Sequence, residues 1–268
     1  MKKKKTCLVI VVLLSVTSIL NGAAQDSWQN STARVFVARH GQPEKNRTNA
    51  KYNDTDNDSR DPILSALGRE QAKLLGEHLR SIGFKGEIYS SPYRRTLETA
   101  DIVAEILNSQ FWVMSDIQEY NTGRWPAEFN ALTIGEIKKR YPHVAAEANL
   151  SFPWLISGPE KVNPDVISSV KRTLQATLLK QQNQSAIYIC HGAVTDAFYE
   201  TMKELATHIK PYIKSFNCAL SVYQLDKHGN CEMRKIADYS FIPDEKVTSN
   251  GVFLKNVVKA KTVAGTVK

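Results

Sequence analysis

Uninterrupted apolar runs and amphipathic stretches alternate along most of the chain. Arg34-Val-Phe-Val-Ala38 is β-branched and aromatic with no polar break after its first residue, which predicts a strand buried on both faces. It stops at Arg39-His40-Gly41, and the almost wholly polar Gln42–Asp61 predicts a long surface loop. Ser65 stands where a helix cap belongs. Ala72, Leu75, Leu79 and Ile82 then recur at helical spacing up to Gly83. Residues 87–91 predict a second strand. Pro92 is read as opening a second helix that turns Tyr93, Leu97, Ala100, Ala104 and Leu107 inward.

Residues 111–114 predict a third strand, followed by an irregular segment to Pro126 and a small helical excursion over 129–160. A helix beginning at Asn163-Pro164 places Val166, Val170, Leu174 and Leu178 on one face. Residues 185–190 form another uninterrupted apolar run, and it too ends in His-Gly, at His191-Gly192. The next helix turns Phe198, Met202, Leu205 and Ile209 to one side, and two strands near 219–225 and 232–240 flank a turn as a hairpin. Strands alternating with helices predict a three-layer α/β/α fold with a largely parallel central sheet. In such sheets ligands bind outside the carboxyl ends of the strands, the edge where both His-Gly pairs lie.

Composition and charge narrow the picture. The first residues run from Lys2–Lys5 through an apolar stretch, Cys7 to Leu20, to the small residues Gly22, Ala23 and Ala24. This is the order of an export signal, with cleavage expected after Ala24. The alternative is an uncleaved membrane anchor, for which the apolar stretch is short against the roughly 20 residues of a bilayer span. The expected division is therefore a signal over 1–24, one domain over 25–243 with a small lid near 120–160, and a basic tail over 244–268. Subtracting those four lysines from the formal charge of +8 leaves +4. That excess suits a small anionic substrate and argues against nucleic acid; no stable membrane association is expected after cleavage, and oligomeric state is left open. Of the cysteines outside the signal, an oxidising compartment permits a Cys218–Cys231 bridge, although the intervening turn puts the two out of direct register.

Candidate chemistry lies at the two His-Gly junctions. Imidazoles at the ends of two parallel strands project into one crevice, and a glycine after each would let a ligand approach the backbone. Arg39 adds a guanidinium beside His40. Arg95 falls in the first turn of the second helix, where free N–H groups and the dipole favour an anion. Arg39, Arg95, His191 and those N–H groups can surround a phosphoryl group, with planar guanidinium forks matching its oxygens. Neighbouring cations disfavour imidazolium at His40, and a neutral imidazole is what a nucleophile requires.

These residues resemble the histidine phosphatase superfamily, branch 1, which also holds the cofactor-dependent phosphoglycerate mutases. Arg39-His40-Gly41 with Asn46 is similar to the family's opening motif, and Leu64-Ser-Ala-Leu-Gly68-Arg-Glu-Gln71-Ala72 to its next landmark. Ser91-Pro92-Tyr-Arg-Arg95-Thr-Leu-Glu-Thr99-Ala100 resembles the third, Glu119 before Gly123 the fourth, and Cys190-His191-Gly192 the fifth. The resemblance implies His40 as nucleophile and Glu119 as general acid and base. It implies His191 as second histidine, with Arg39, Asn46, Arg95 and His191 binding phosphate, and with neither cofactor nor metal. A phosphomonoesterase is the first expectation. A phosphohistidine-protein phosphatase, a mutase and a catalytically silent phospho-ligand module are the alternatives. The sequence departs from the family's usual pattern at Pro43, after Trp125 and at Ala193, and residues 129–160 hold a single arginine, Arg140.

Overall fold

The computed structural model describes residues 33–44, 61–119, 132–145, 166–178, 185–226 and 228–249, and the backbone of 252–253. The expected signal, Asn46, Gly123 and most of the expected lid lie outside these residues. Among the described residues no helix is long and apolar enough to cross a membrane.

The seven-stranded sheet is built around β1 (Arg34–Arg39) and β4 (Ser185–Cys190), which pair in parallel with Phe36 opposite Ile187 and Arg39 opposite Cys190. Outward from β4 come β2 (Gly86–Ser90) and β3 (Phe111–Val113), both parallel. Beyond β1 the sheet continues with β6 (Leu220–Leu225), antiparallel, then β7 (Cys231–Asp238) and, at the far edge, β5 (Ala206–His208). The order is β3-β2-β4-β1-β6-β7-β5, a largely parallel sheet extended by the expected hairpin.

Alternation along the central strands separates two apolar layers. Phe36, Ala38, Ile187 and Ile189 pack with α1 (Ala66–Ser81) and α2 (Arg94–Leu107) through Leu75, Leu79, Leu97 and Val103. Val35, Val37, Ala186 and Tyr188 face the other way, onto α4 (Val166–Leu178) and α5 (Gly192–Glu204) through Val170, Leu174, Val194, Phe198 and Met202. Each fully buried Leu, Ile, Val or Phe contributes about 1.5–3 kcal/mol, so sequestering both faces of β1 and β4 anchors the strand ends that carry the histidines. Residues 134–140 form a short helix, α3 (Ile134–Arg140), opened by a capping box between Thr133 and Glu136.

Helix α1 matches expectation: Ser65 Oγ accepts from the Gly68 N–H, and Gly83 takes a positive φ of 67° just beyond the end. Three expectations are revised, and one open question is closed. Pro92 precedes the cap rather than opening α2. Tyr93 is extended and its carbonyl accepts from Thr96 and Leu97, so the helix begins at Arg94. Helix α5 does not reach Ile209. It closes at Glu204, Ala206–His208 pair with β7 instead, and Ile209 is 58% exposed. Gln42 and Asp61, read as the ends of a surface loop, are both buried. Cys190, Cys218 and Cys231 are free buried thiols, so no bridge joins the latter two.

The chain after β7 returns to the sheet edge that holds the histidines. A 3-10 turn at Asp244–Lys246 leads into β8 (Thr248–Ser249), which pairs with β9 (Val252–Phe253), and Val247 and Thr248 are fully buried.

Candidate active site

Because β1 and β4 are parallel neighbours in register, His40 and His191 leave the sheet side by side, with ring centroids 5.3 Å apart. Arg95, from the first turn of α2, lies between them. Its Nε donates to His40 Nε2 at 3.3 Å and its Nη2 lies 3.2 Å from His191 Nδ1. Glu119, beyond β3, brings Oε2 to 3.6 Å from Arg95 Nη2 and 3.5 Å from His191 Nδ1. Arg39 is buried beside this cluster, and its Nη1 donates to the Ser215 carbonyl at 3.0 Å and Ser249 Oγ at 3.1 Å. Five of the six expected site residues thus converge, and the sixth, Asn46, lies outside the described residues.

The hydrogen bonds fix the tautomer of His40. His40 Nδ1 sits 2.7 Å from the Gly41 carbonyl, which can only accept, so Nδ1 carries the proton. The lone pair is then on Nε2, facing Arg95. Burial is the main reason that His40 protonates well below the usual histidine range; Arg95 and Arg39 push the same way, and the Gly41 bond opposes them. Desolvation rather than the neighbouring cations therefore leads in keeping His40 neutral. His191 is also held well below its ordinary value, by burial first and then by Arg95, His40 and Arg39. Its Nε2 meets Ser91 Oγ at 2.8 Å, and the Tyr93 ring stands edge-on at 5.0 Å.

Two details of the expected anion site change. Asp61, 3% exposed, accepts the Arg94 N–H at the start of α2 and lies 3.6 Å from Arg95 Nη1. A carboxylate therefore occupies a helix N–H that the sequence reading gave to phosphate, and it also steadies the arginine. Gly41 serves packing: a Cβ there would stand 2.4 Å from the Gly68 carbonyl. A Cβ at Gly192 would stand 3.8 Å from Arg39 Nε, an ordinary van der Waals contact.

Asp61, Ser91, Tyr93 and Asn217 were missed by sequence reasoning. Ser91 and Tyr93 stand inside the third motif without a role having been given to them, and Asp61 meets the helix it serves 33 residues further on. Asp116, the other described acid in the Glu119 segment, pairs with Arg172 at 2.9 Å instead. Among the described residues no group of His, Cys, Asp and Glu is arranged to hold a metal ion.

Comparison with known proteins agrees with this geometry. The model of the histidine phosphatase superfamily (branch 1) matches residues 35–238. Phosphoserine phosphatase 1 of Hydrogenobacter thermophilus is 30% identical over 146 residues, covering 52% of this chain and 64% of that protein, so the chain spans less than two thirds of that relative. The mitochondrial serine/threonine-protein phosphatase PGAM5 of Xenopus tropicalis is 26% identical over 81% of this chain and 69% of its own length. Among solved structures, the ecdysone phosphate phosphatase of Bombix mori, in complex with tungstate, shares the fold with a TM-score of 0.60 at 19% identity; the match covers 84% of this chain and 99% of that one. With two histidines, two arginines and a glutamate meeting at the sheet edge inside the matched span, the chain belongs to branch 1 of the histidine phosphatase superfamily.

Proposed function

We propose that the chain is an exported, metal-independent phosphomonoesterase that passes the phosphoryl group through His40. The observation that carries this reading is the buried, neutral His40, with Nδ1–H on the Gly41 carbonyl and the Nε2 lone pair facing Arg95. Nε2 attacks phosphorus in line with the ester bond, and the bond to the departing oxygen breaks. Glu119 gives that oxygen its proton. Phosphoimidazole keeps its Nδ1 proton, so positive charge develops on the ring and strengthens the bond to Gly41 O. Arg39, Arg95 and His191 take the charge of the equatorial oxygens, with planar guanidinium forks in place of a cation. Water then attacks phosphorus, Glu119 accepts its proton, and the N–P bond breaks to restore neutral His40.

Small phosphorylated compounds are the proposed substrates, in keeping with the phosphoserine phosphatase likeness. Phosphatase is favoured over mutase because residues 129–160 hold a single arginine with which to grip a second phosphate. Export rests on the charged, apolar and small-residue order of residues 1–24. The test is hydrolysis of p-nitrophenyl phosphate by residues 25–268 in EDTA, with alkaline quenching of radiolabelled substrate to trap phosphoenzyme. Turnover with an acid-labile label, both lost in His40→Ala, is expected. A chelator-sensitive activity or an unlabelled enzyme would overturn the mechanism, and dependence on a bisphosphorylated primer would make the protein a mutase.

A further inference from the structure

The backbone that presents the nucleophile is held at every polar position described for residues 40–42. The His40 N–H donates to the Cys190 carbonyl at 3.0 Å, and the His40 carbonyl accepts from Asn217 Nδ2 at 3.0 Å. The Gly41 N–H meets Thr99 Oγ1 at 3.1 Å, and the Gly41 carbonyl takes the His40 ring. The Gln42 N–H donates to Gln71 Oε1 at 2.8 Å, and the Gln42 carbonyl accepts from the Ser65 N–H at 2.9 Å.

Two of these bonds come from side-chain amides, Asn217 and Gln71, and an amide serves only if its oxygen and nitrogen point the right way. One hydroxyl touches both. Thr248 Oγ1 donates to Asn217 Oδ1 at 3.1 Å, which turns Nδ2 onto the His40 carbonyl. The same oxygen accepts from Gln71 Nε2 at 2.9 Å; that nitrogen also donates to the Lys246 carbonyl at 2.6 Å, and the two acceptors together turn Oε1 onto the Gln42 N–H. A hydroxyl has one proton to give and lone pairs to receive, so it can complete both bonds at once. Thr248 is fully buried, the Asn217 N–H returns to its carbonyl at 2.9 Å, and the next residue, Ser249, accepts from Arg39. Thr248 also lies beyond residues 35–238, the span that the family shares.

We propose that Thr248 is a positioning residue for the phosphoryl transfer: its hydroxyl, on a C-terminal strap, orients the Asn217 amide on the His40 carbonyl and joins the Lys246 carbonyl in holding Gln71 on the Gln42 N–H. The inference rests on His40 as nucleophile. Losing the hydroxyl leaves Asn217 Oδ1 without that donor and lets its amide rotate off the His40 carbonyl, while the Lys246 carbonyl still holds Gln71 Nε2, so His40 loses alignment while the arginines that grip phosphate remain. The effect falls on kcat rather than KM.

The test compares Thr248→Val, of equal shape without the hydroxyl, with Thr248→Ser, which keeps it, in residues 25–268 on p-nitrophenyl phosphate. For Thr248→Val we expect kcat to fall about ten- to a hundredfold with KM within about twofold, the scale of a misplaced reacting group. Thr248→Ser should recover most of the loss. A readout independent of turnover is the NMR signal of the His40 imidazole, assigned with His40→Ala, which should move in Thr248→Val and return in Thr248→Ser. Unchanged kcat and an unmoved signal in Thr248→Val would overturn the proposal, as would a serine variant no better than valine. If Thr248→Val does not fold, Thr248→Ala against Thr248→Ser gives the same contrast; unfolding of the alanine variant as well would make the hydroxyl structural and refute the positioning role. If the wild type turns over no phosphomonoester, the phosphohistidine reading fails by itself, and the His40 signal alone decides whether Thr248 orients the loop.

Discussion

Strands β1 and β4 lie side by side, run in the same direction and end in the same dipeptide, yet the two histidines that follow are held differently. His40 enters a turn whose own carbonyl takes its Nδ1 proton, and a glycine is needed there so that Gly68 can pack against it. His191 is the cap residue of α5; its ring is held by Ser91 on one side and faces Arg95 and Glu119 on the other. The local backbone therefore leaves Nε2 of His40 as a lone pair in the cleft, whereas the groups around His191 come from other elements and crowd its Nδ1 with charge. On the proposed mechanism, the same dipeptide supplies a nucleophile at one junction and a group poised to stabilise charge at the other.

Replacing each histidine in turn gives the largest effect. In His40→Ala, hydrolysis of p-nitrophenyl phosphate should fall about a thousandfold or more, with no phosphoenzyme formed. His191→Ala should lose about a hundred- to a thousandfold, the usual cost of one charge-stabilising group, and still accumulate acid-labile label. Rapid quench with radiolabelled substrate separates the two. Label retained in His40→Ala would reverse the roles argued from the tautomers.

Glu119 belongs to the His191 side of the cleft and sharpens the contrast by the kind of substrate it affects. Glu119→Gln should slow an alkyl phosphate about a hundredfold, because an alkoxide needs its proton as it leaves. The loss on p-nitrophenyl phosphate should be much smaller, since that phenolate departs unprotonated. Equal losses on the two substrates would remove Glu119 from the proton transfer and leave it a partner of Arg95.

How much of this was legible beforehand follows the range of each interaction. Val35-Phe36-Val37 and Ala186–Ile189 read as strands buried on both faces, and the two apolar layers confirm it. The paired His-Gly ends located the cleft, because parallel neighbours must deliver both to one edge. The end of α5 was not legible. Its apolar spacing continues through Leu205 to Ile209, but the Cys231 N–H takes the Leu205 carbonyl and an edge strand forms instead, a tertiary pairing that local periodicity does not contain. Asp61, Asn217 and Thr248 were invisible for a related reason. Lone polar side chains have no period, and the partners that give these their roles lie up to 177 residues away.

The smallest expected effect concerns stability, and it tests what the two junctions share rather than what divides them. Both imidazoles are neutral in the fold because burial and the arginines hold their protonation well below the ordinary range. The unfolded chain binds those protons near pH 6.5, so as pH drops below that value it takes up protons that the folded protein refuses. The histidine contribution is thus fully present above about pH 6.5 and is lost as pH falls from there towards the folded values. Each histidine can add a slope of up to about 1.4 kcal/mol per pH unit. Urea unfolding between about pH 6.5 and 5, above the range where ordinary carboxylates protonate, isolates this term. Wild type should weaken steadily through that window, and His40→Gln and His191→Gln should each flatten the slope. Saturating tungstate should flatten it too, because a bound oxyanion favours imidazolium and lifts the folded values towards the unfolded one. A wild-type stability that does not change through this window would mean that the folded protein keeps its imidazoles protonated, and a protonated His40 has no lone pair with which to attack phosphorus.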